Sequence, residues 1–302
     1  MAYRYAILDV FADTPLAGNP LAVVRDAAGL DDARMQAIAA EFNLSETVFL
    51  LPPRNPAHSA AVRIFTPKIE LPFAGHPTVG AAVYLGLVRH DGGNGPAEGI
   101  VILEEIVGAV RCGVSVKPGR GHAIFDLPRL PAPLPARLDK EAVAAALGLV
   151  PAEVGFENHV PTAWSAGVPY AFIPVRDLEV AARAWPQPVA WRAGLDDGAF
   201  PAAYVYTRLT VGVGRQFHGR MFAPTEGIPE DPATGSAVAA LAGVIHRFDA
   251  HPSGTHTFVV EQGFEMGRPS LMALEVDIET AGIAAARIGG DAMLIAEGTL
   301  HL

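Results

Sequence analysis

The sequence predicts an α+β protein made of two related halves with mostly antiparallel strands, and three observations carry that prediction. Three short motifs occur twice in the same order, each copy displaced from its partner by about half the chain. Strand-like runs dominate, without the regular alternation of strand and helix that marks a parallel sheet. The length of 302 residues corresponds to two domains at roughly 150 residues each. The motif pairs are Gly18-Asn19-Pro20-Leu21-Ala22-Val23-Val24 with Gly167-Val168-Pro169-Tyr170-Ala171-Phe172-Ile173, Ile64-Phe65-Thr66-Pro67 with Met221-Phe222-Ala223-Pro224, and His76-Pro77-Thr78-Val79-Gly80-Ala81-Ala82-Val83 with Asp231-Pro232-Ala233-Thr234-Gly235-Ser236-Ala237-Val238. A duplicated domain with a pseudo-twofold axis accounts for their order and spacing.

Along the chain, strands are expected at Tyr5 to Phe11 and Leu21 to Val24. Asp31 to Phe42 reads as an amphipathic helix, with Met35, Ile38, Ala39 and Phe42 at helical spacing and acids at its start. Strands follow at Val48 to Leu51 and Ser59 to Phe65. A helix opening at Pro77 is apolar on every side through Leu87, which marks it as the buried centre of its half, and Ala233 to Ile245 is its counterpart. Ile100 to Glu105 and Val107 to Val116 read as strands. The Pro- and Gly-rich stretch from Lys117 to Pro135 suits a crossover between domains, and Asp139 to Leu147 a helix opening the second half. Later strands are expected at Val168 to Val175, Ala203 to Leu209, Gly219 to Phe222, Thr257 to Gln262, Ser270 to Ile278, Ala284 to Ile288 and Ala292 to Glu297. The halves are placed at 1–118 and 119–290, with a terminal strand over about 291–302 free to return to the first.

Composition removes several function classes. Half the residues are hydrophobic and only 18% are charged, so the chain can bury a core and is not disordered. A net charge of −10, with no run of basic residues, argues against nucleic acid and anionic membranes. The single Cys112 rules out an internal disulfide, a multi-cysteine metal site and any mechanism needing two thiols. The N-terminal MAYRYAILDVF has no secretory-signal pattern, making a cytoplasmic enzyme the default. Leu71 to Val88 approaches membrane-spanning length, yet its prolines and glycines read as a turn and a buried helix.

The third repeat sets His76 and Asp231 at matching positions, each directly before a proline that opens a buried helix. About a twofold axis, two helix N-termini would face a common cleft. Their dipoles would favour Asp231 as carboxylate and His76 as neutral imidazole and leave N–H groups for a substrate carboxylate. Small residues nearby, Gly75, Gly80, Gly235 and Ser236, would let backbone approach a ligand. A plain N-cap for Asp231 and a buried turn histidine for His76 fit the same local sequence. Glu46, at the mouth of an apolar strand, suits a partly desolvated proton carrier, or equally a surface acid or a capping partner of Asn43.

Phe11-x-x-x-Pro15-Leu16-x-Gly18-Asn19-Pro20-x-Ala22-Val23, Asn43-Leu44-Ser45-Glu46-Thr47, Phe65-Thr66-Pro67-x-x-Glu70-Leu71-Pro72-Phe73-Ala74-Gly75-His76-Pro77, Glu230-Asp231-Pro232-Ala233-Thr234-Gly235-Ser236-Ala237 and, near the C-terminus, Gln262-Gly263 with Met266-Gly267-Arg268-Pro269-Ser270 together resemble the PhzF family of phenazine-biosynthesis-like proteins. The resemblance implies the diaminopimelate-epimerase fold: two similar halves, each an open antiparallel β-barrel around a central helix, with the active site between them. It further implies isomerisation of the trans-2,3-dihydro-3-hydroxyanthranilate type, in which Glu46 carries a proton from one ring carbon to another. His76 and Asp231 would assist as catalytic partners. Ser45, Gly75, Gly235 and Ser236 would bind the substrate and its carboxylate. A homodimer is implied as well. Thiol-based racemisation, known on this fold, is excluded because no cysteine stands at either helix start.

The leading expectation is therefore a cofactor-independent isomerase of a small carboxylic acid. The alternative is a small-carboxylate-binding protein without turnover, from which a buried acid at the substrate would distinguish it. No Gly-x-Ser-x-Gly elbow, phosphate-binding loop or His-Glu-x-x-His spacing occurs, so neither a hydrolase, a nucleotide cofactor nor a metal is expected.

Overall fold

The computed structural model describes residues 2–90, 95–195, 200 and 202–302. Met1, with which the expected first half begins, lies outside the described residues. By its internal contacts the chain divides into two compact units, Met1–Pro128 with Gly289–Leu302, and Arg129–Ile288.

The first unit contains β1 (Ala2–Val10), β2 (Asn19–Val24), α1 (Asp32–Phe42), β3 (Glu46–Leu51), β4 (Ala60–Phe65), β5 (Glu70–Leu71), α2 (Gly75–Arg89), β6 (Ala97–Glu105), β7 (Gly108–Lys117) and β8 (Arg120–Asp126). Pairing is antiparallel for β1 with β2, β3 with β4, β4 with β5, β6 with β7 and β7 with β8, but parallel for β2 with β3 and β4 with β6. Each parallel pair is joined through a helix, as a parallel connection requires. Around α2 the strands β1, β2, β3, β6, β7 and β8 all make contact. That explains why α2 is apolar all round: every residue from Gly75 to Tyr84 is buried. The α1 helix is set by its ends. The Asp31 carboxylate accepts from the Arg34 N–H at 2.8 Å, and Asn43 closes the helix at φ 51° in the left-handed region.

The second unit contains β9 (Ala132–Pro133), α3 (Lys140–Ala146), β10 (Thr162–Ser165), β11 (Pro169–Pro174), α4 (Leu178–Arg183), α5 (Pro188–Gly194), β12 (Ala203–Thr207), β13 (Phe217–Ala223), β14 (Ile228–Asp231), α6 (Gly235–Asp249), β15 (Gly254–Gln262), β16 (Ser270–Glu279) and the start of β17 (Gly282–His301). The order of pairings repeats that of the first unit: β10 with β11 antiparallel, β11 with β12 parallel, β12 with β13 antiparallel, the short β14 beside β13, β13 with β15 parallel, and β15 with β16 antiparallel. The α6 helix takes the place of α2, packed against β9, β10, β11 and β16. The helices α3, α4 and α5 pack an apolar cluster with strands β10 to β13 that includes Val143, Leu147, Trp191 and Phe222. The end of β17 belongs to the first unit, pairing with β1 from Ala2 opposite His301 to Val10 opposite Ala292. A further pairing of β17 with β8 closes that unit's ring of strands.

Several expectations are corrected. The chain after Lys117 does not cross over but turns tightly at Gly119, with φ 76°, into β8. The boundary falls after Pro128, not after residue 118. The two last expected strands are one, because the extended backbone continues through the buried Gly289 and Gly290 without a turn. The short strands β5, β9, β10 and β14 and the helices α4 and α5 gave too little periodicity to be read. No helix among the described residues is long and apolar enough to cross a membrane.

Candidate active site

The register of the third repeat is also corrected. Strand, turn and helix start coincide when Leu71-Pro72 is matched with Asp231-Pro232, since Leu71 pairs with Ile64 as Asp231 pairs with Met221, and the helices then begin at Gly75 and Gly235. His76 is therefore not outside its helix. It is the second residue of α2, and its structural counterpart is Ser236, while Asp231 ends a strand one turn before α6. Nor is Asp231 an N-cap, a place taken by Thr234.

In the first unit, β3 begins with Glu46, set opposite Leu21 of β2. The Glu46 side chain is 14% exposed, and its Oε2 lies 3.4 Å from Nδ1 of His76, whose side chain is 5% exposed. Asn19, the fully buried first residue of β2, brings its Nδ2 to the same Nδ1 at 3.4 Å. Burial drives the imidazole pKa down to about 3, so His76 is neutral across the physiological range. Its Nδ1 thus stands between a carboxylate, which meets it when protonated, and an amide, which meets it when bare. The buried Nε2 has no hydrogen-bond partner among the described residues. The approach of Asn19 depends on Gly18, at φ 66°, where a Cβ would fall 2.3 Å from the Val10 carbonyl oxygen. Ser45 precedes Glu46 in the turn from α1, and Gly75 opens α2, where the first N–H groups have no helical partner.

In the second unit, Asp231 is buried and its Oδ2 accepts from the Thr234 hydroxyl at 2.6 Å. Gln262, fully buried on β15, laces this turn: its Nε2 donates to the Asp231 carbonyl at 2.7 Å and reaches the Thr234 Oγ1 at 3.0 Å, while its Oε1 faces the Thr234 N–H at 3.3 Å. Gly263 follows at φ 79°, where a Cβ would meet the Pro232 carbonyl oxygen at 2.6 Å. Gly235 and Ser236 open α6, with Ser236 Oγ 2.7 Å from the Tyr170 hydroxyl.

Behind each helix start lies the same clamp. Arg63 grips Glu70 through Nε and Nη2 at 2.6 and 2.7 Å, and Arg220 grips Glu230 through the same atoms at 2.8 and 2.9 Å. Each guanidinium also covers a phenyl ring, Phe65 at 5.0 Å and Phe222 at 4.8 Å. The clamps, Asn19 and Gln262 were missed as functional supports. The repeated Ile64-Phe65 and Met221-Phe222 motifs, each preceded by arginine, held the signal for the clamps.

Cys112 is buried and its thiol is pushed up to about 12 by burial, which removes it as a nucleophile or base. Among the described residues no three His, Cys, Asp or Glu side chains are grouped to hold a metal ion.

A family model of phenazine biosynthesis-like proteins matches residues 8–298. The chain belongs to that family. It is 52% identical over 302 residues to an uncharacterized isomerase of Mesorhizobium japonicum, covering 99% of each chain. It is 34% identical to the trans-2,3-dihydro-3-hydroxyanthranilate isomerase of Pseudomonas aeruginosa, over 99% of this chain and 100% of that one. The crystal structure of a PhzF-family phenazine biosynthesis protein from Bacillus anthracis superposes with a TM-score of 0.87 over the full length of both chains, at 23% identity. The expected fold class is thereby established, and with it the enzyme class: the chain is an isomerase.

Proposed function

We propose that this isomerase moves a proton between two carbons of a small cyclic carboxylic acid of the trans-2,3-dihydro-3-hydroxyanthranilate type, with Glu46 as the carrier. As carboxylate, Glu46 takes a proton from a ring C–H, and as carboxylic acid it returns the proton to a second carbon of the same molecule. One C–H bond breaks and one forms, so no external oxidant or reductant is needed. The observation that carries the reading is the Glu46 carboxylate 3.4 Å from a neutral, desolvated His76, in a chain whose one thiol is buried elsewhere.

His76 and Asp231 are the assisting catalytic residues. A neutral imidazole can donate to or accept from a substrate heteroatom without adding charge. The Asp231 carboxylate, fixed by Thr234, keeps further acceptor capacity for a substrate ammonium or hydroxyl group. The N–H groups at Gly75, Gly235 and Ser236, with the Ser45 and Ser236 hydroxyls, suit the substrate's carboxylate and polar groups. A cytoplasmic homodimer is the setting we propose, which sedimentation of the purified protein tests. For the reaction, the protein is incubated with a panel of hydroxylated cyclic acids, including trans-2,3-dihydro-3-hydroxyanthranilate, in D₂O. Deuterium uptake into product is expected, and saturable binding without exchange or isomerisation by any member would contradict the reading.

A further inference from the structure

Glu105, the last residue of β6, is 3% exposed, and nothing in the proposed reaction uses it. It lies against α2 just inside the helix start. The Thr78 Oγ1, fully buried, is 2.8 Å from Glu105 Oε1 and 2.7 Å from the carbonyl oxygen of Ala74. A hydroxyl carries one proton, and these two neighbours are both acceptors if Glu105 is ionised. Whichever receives the proton, the other would face a bare oxygen at hydrogen-bond distance. The conflict disappears if Glu105 is a carboxylic acid that donates to Thr78, which then donates to Ala74.

The surroundings agree. From α2 Glu105 meets Thr78, and the titratable groups on the strands nearby are the Cys112 thiol of β7 and the Asp126 carboxyl of β8, neither of which supplies a positive charge. No Lys, Arg or His among the described residues forms an ion pair with it, and its buried Oε2 has no hydrogen-bond partner among them. Burial pushes its pKa up to about 8.

We propose that Glu105 is a buried neutral acid that, through the Thr78 hydroxyl and the Ala74 carbonyl, fixes the first turn of α2 and so positions Gly75 and His76. Ala74 is the N-cap of α2 and offers no side-chain cap, so this chain of hydrogen bonds stands in for one. Glu105 is a positioning residue. Its link to catalysis rests on the function proposed above, but its protonation state does not.

The infrared difference spectrum between wild type and Glu105→Gln at neutral pH reads that state directly. A protonated-carboxyl C=O band, present in wild type and lost in the variant, is expected. Its absence would overturn the proposal. Melting temperature against pH supplies a second readout. The folded state keeps the proton up to about 8, whereas the unfolded carboxyl releases it near 4.5, so this group lowers stability progressively as pH rises through that window and no further above it. Glu105→Gln, whose amide can still donate to Thr78, should gain on wild type across that window and run parallel beyond it. Curves parallel throughout would contradict the inference. Should Glu105→Gln not fold, Thr78→Ser is expected to keep the band in place and Thr78→Val to shift it, and a band indifferent to both overturns the contact. With an active substrate, wild-type kcat should decline as pH rises above about 8 and Glu105→Gln should lack that decline, whereas superimposable profiles would contradict the link to His76. The spectra and melting curves need no substrate, so failure of the catalytic reading leaves them standing.

Discussion

The two units carry the same strand order and the same Arg–Glu clamp, but they hold their helix starts by different physics. In the first unit the clamp is about a quarter exposed, Arg63 also reaches Asp32, and the histidine at the helix start is kept neutral by burial. In the second, Arg220 and Glu230 are nearly fully buried, and the remaining Arg220 nitrogen donates to the carbonyls of Ala181, Ala182 and Ala184 at the end of α4. Next to that clamp His218 bridges Glu261 and Glu265 at 2.9 Å on each ring nitrogen, and Arg215 pairs with Glu261. Residues alternate across a strand, so β15 turns Glu261 into this ionic network and Gln262 onto the Asp231 turn. The frame is the same in both units, but a neutral histidine stands at one helix start and an ionic network stands behind the other.

The largest difference should appear between the clamps. Arg220→Ala strands the Glu230 carboxylate and three carbonyls without their donor and is expected to cost about 3–5 kcal/mol. Arg63→Ala, open to water, should cost about 1 kcal/mol. Chemical denaturation of both variants measures this, and equal losses would break the contrast.

The histidines should give opposite pH dependences. His76 has a folded pKa depressed to about 3 against an ordinary 6.5, so its contribution is present above 6.5 and is lost as pH falls toward 3. Burial alone would lower the His218 pKa as well, but its hydrogen bonds to Glu261 and Glu265 outweigh that and raise it to about 9. Its contribution is therefore full below 6.5 and is lost as pH rises through about 9. In melting curves against pH, His76→Gln should flatten the acid side and His218→Gln the alkaline side. A swap of sides would mean the burial and pairing arguments are wrong.

A smaller effect is expected of Tyr170→Phe, which removes the hydroxyl beside Ser236 Oγ. About 1 kcal/mol of stability should be lost, with a modest rise in KM if Ser236 binds substrate. An unchanged KM would sharpen the role of Ser236 to a structural one.

Much of this was legible in the sequence because it follows from patterning. Helices α2 and α6 are apolar on all sides and α1 carries its cap in Asp31, so their type and burial could be read directly. The register of the repeat could not. Two prolines, Pro72 and Pro77, precede or enter α2, and matching Asp231-Pro232 to the second of them pairs a loop acid with a helical histidine; only the pairing of β5 and β14 with their neighbours selects the first. Glu46 was found through resemblance, since an acid before an apolar strand is common, and its distinguishing feature is the distance to His76. Asn19 and Gln262 had no local signal beyond being quoted in motifs, because their roles are hydrogen bonds to residues far away in the chain. Glu105 was equally silent: it is one of two adjacent acids at the end of a strand, and its neighbour Glu104 takes Arg54 and His58 as hydrogen-bond partners instead.

The central claim is that Glu46 carries the proton, and the most direct test is the rate of deuterium incorporation from D₂O into a turned-over cyclic acid by wild type and Glu46→Gln. The amide keeps the shape and loses the base. The account predicts a fall of about 10²–10⁴-fold with the ligand still bound; a Glu46→Gln enzyme exchanging deuterium at the wild-type rate would contradict it.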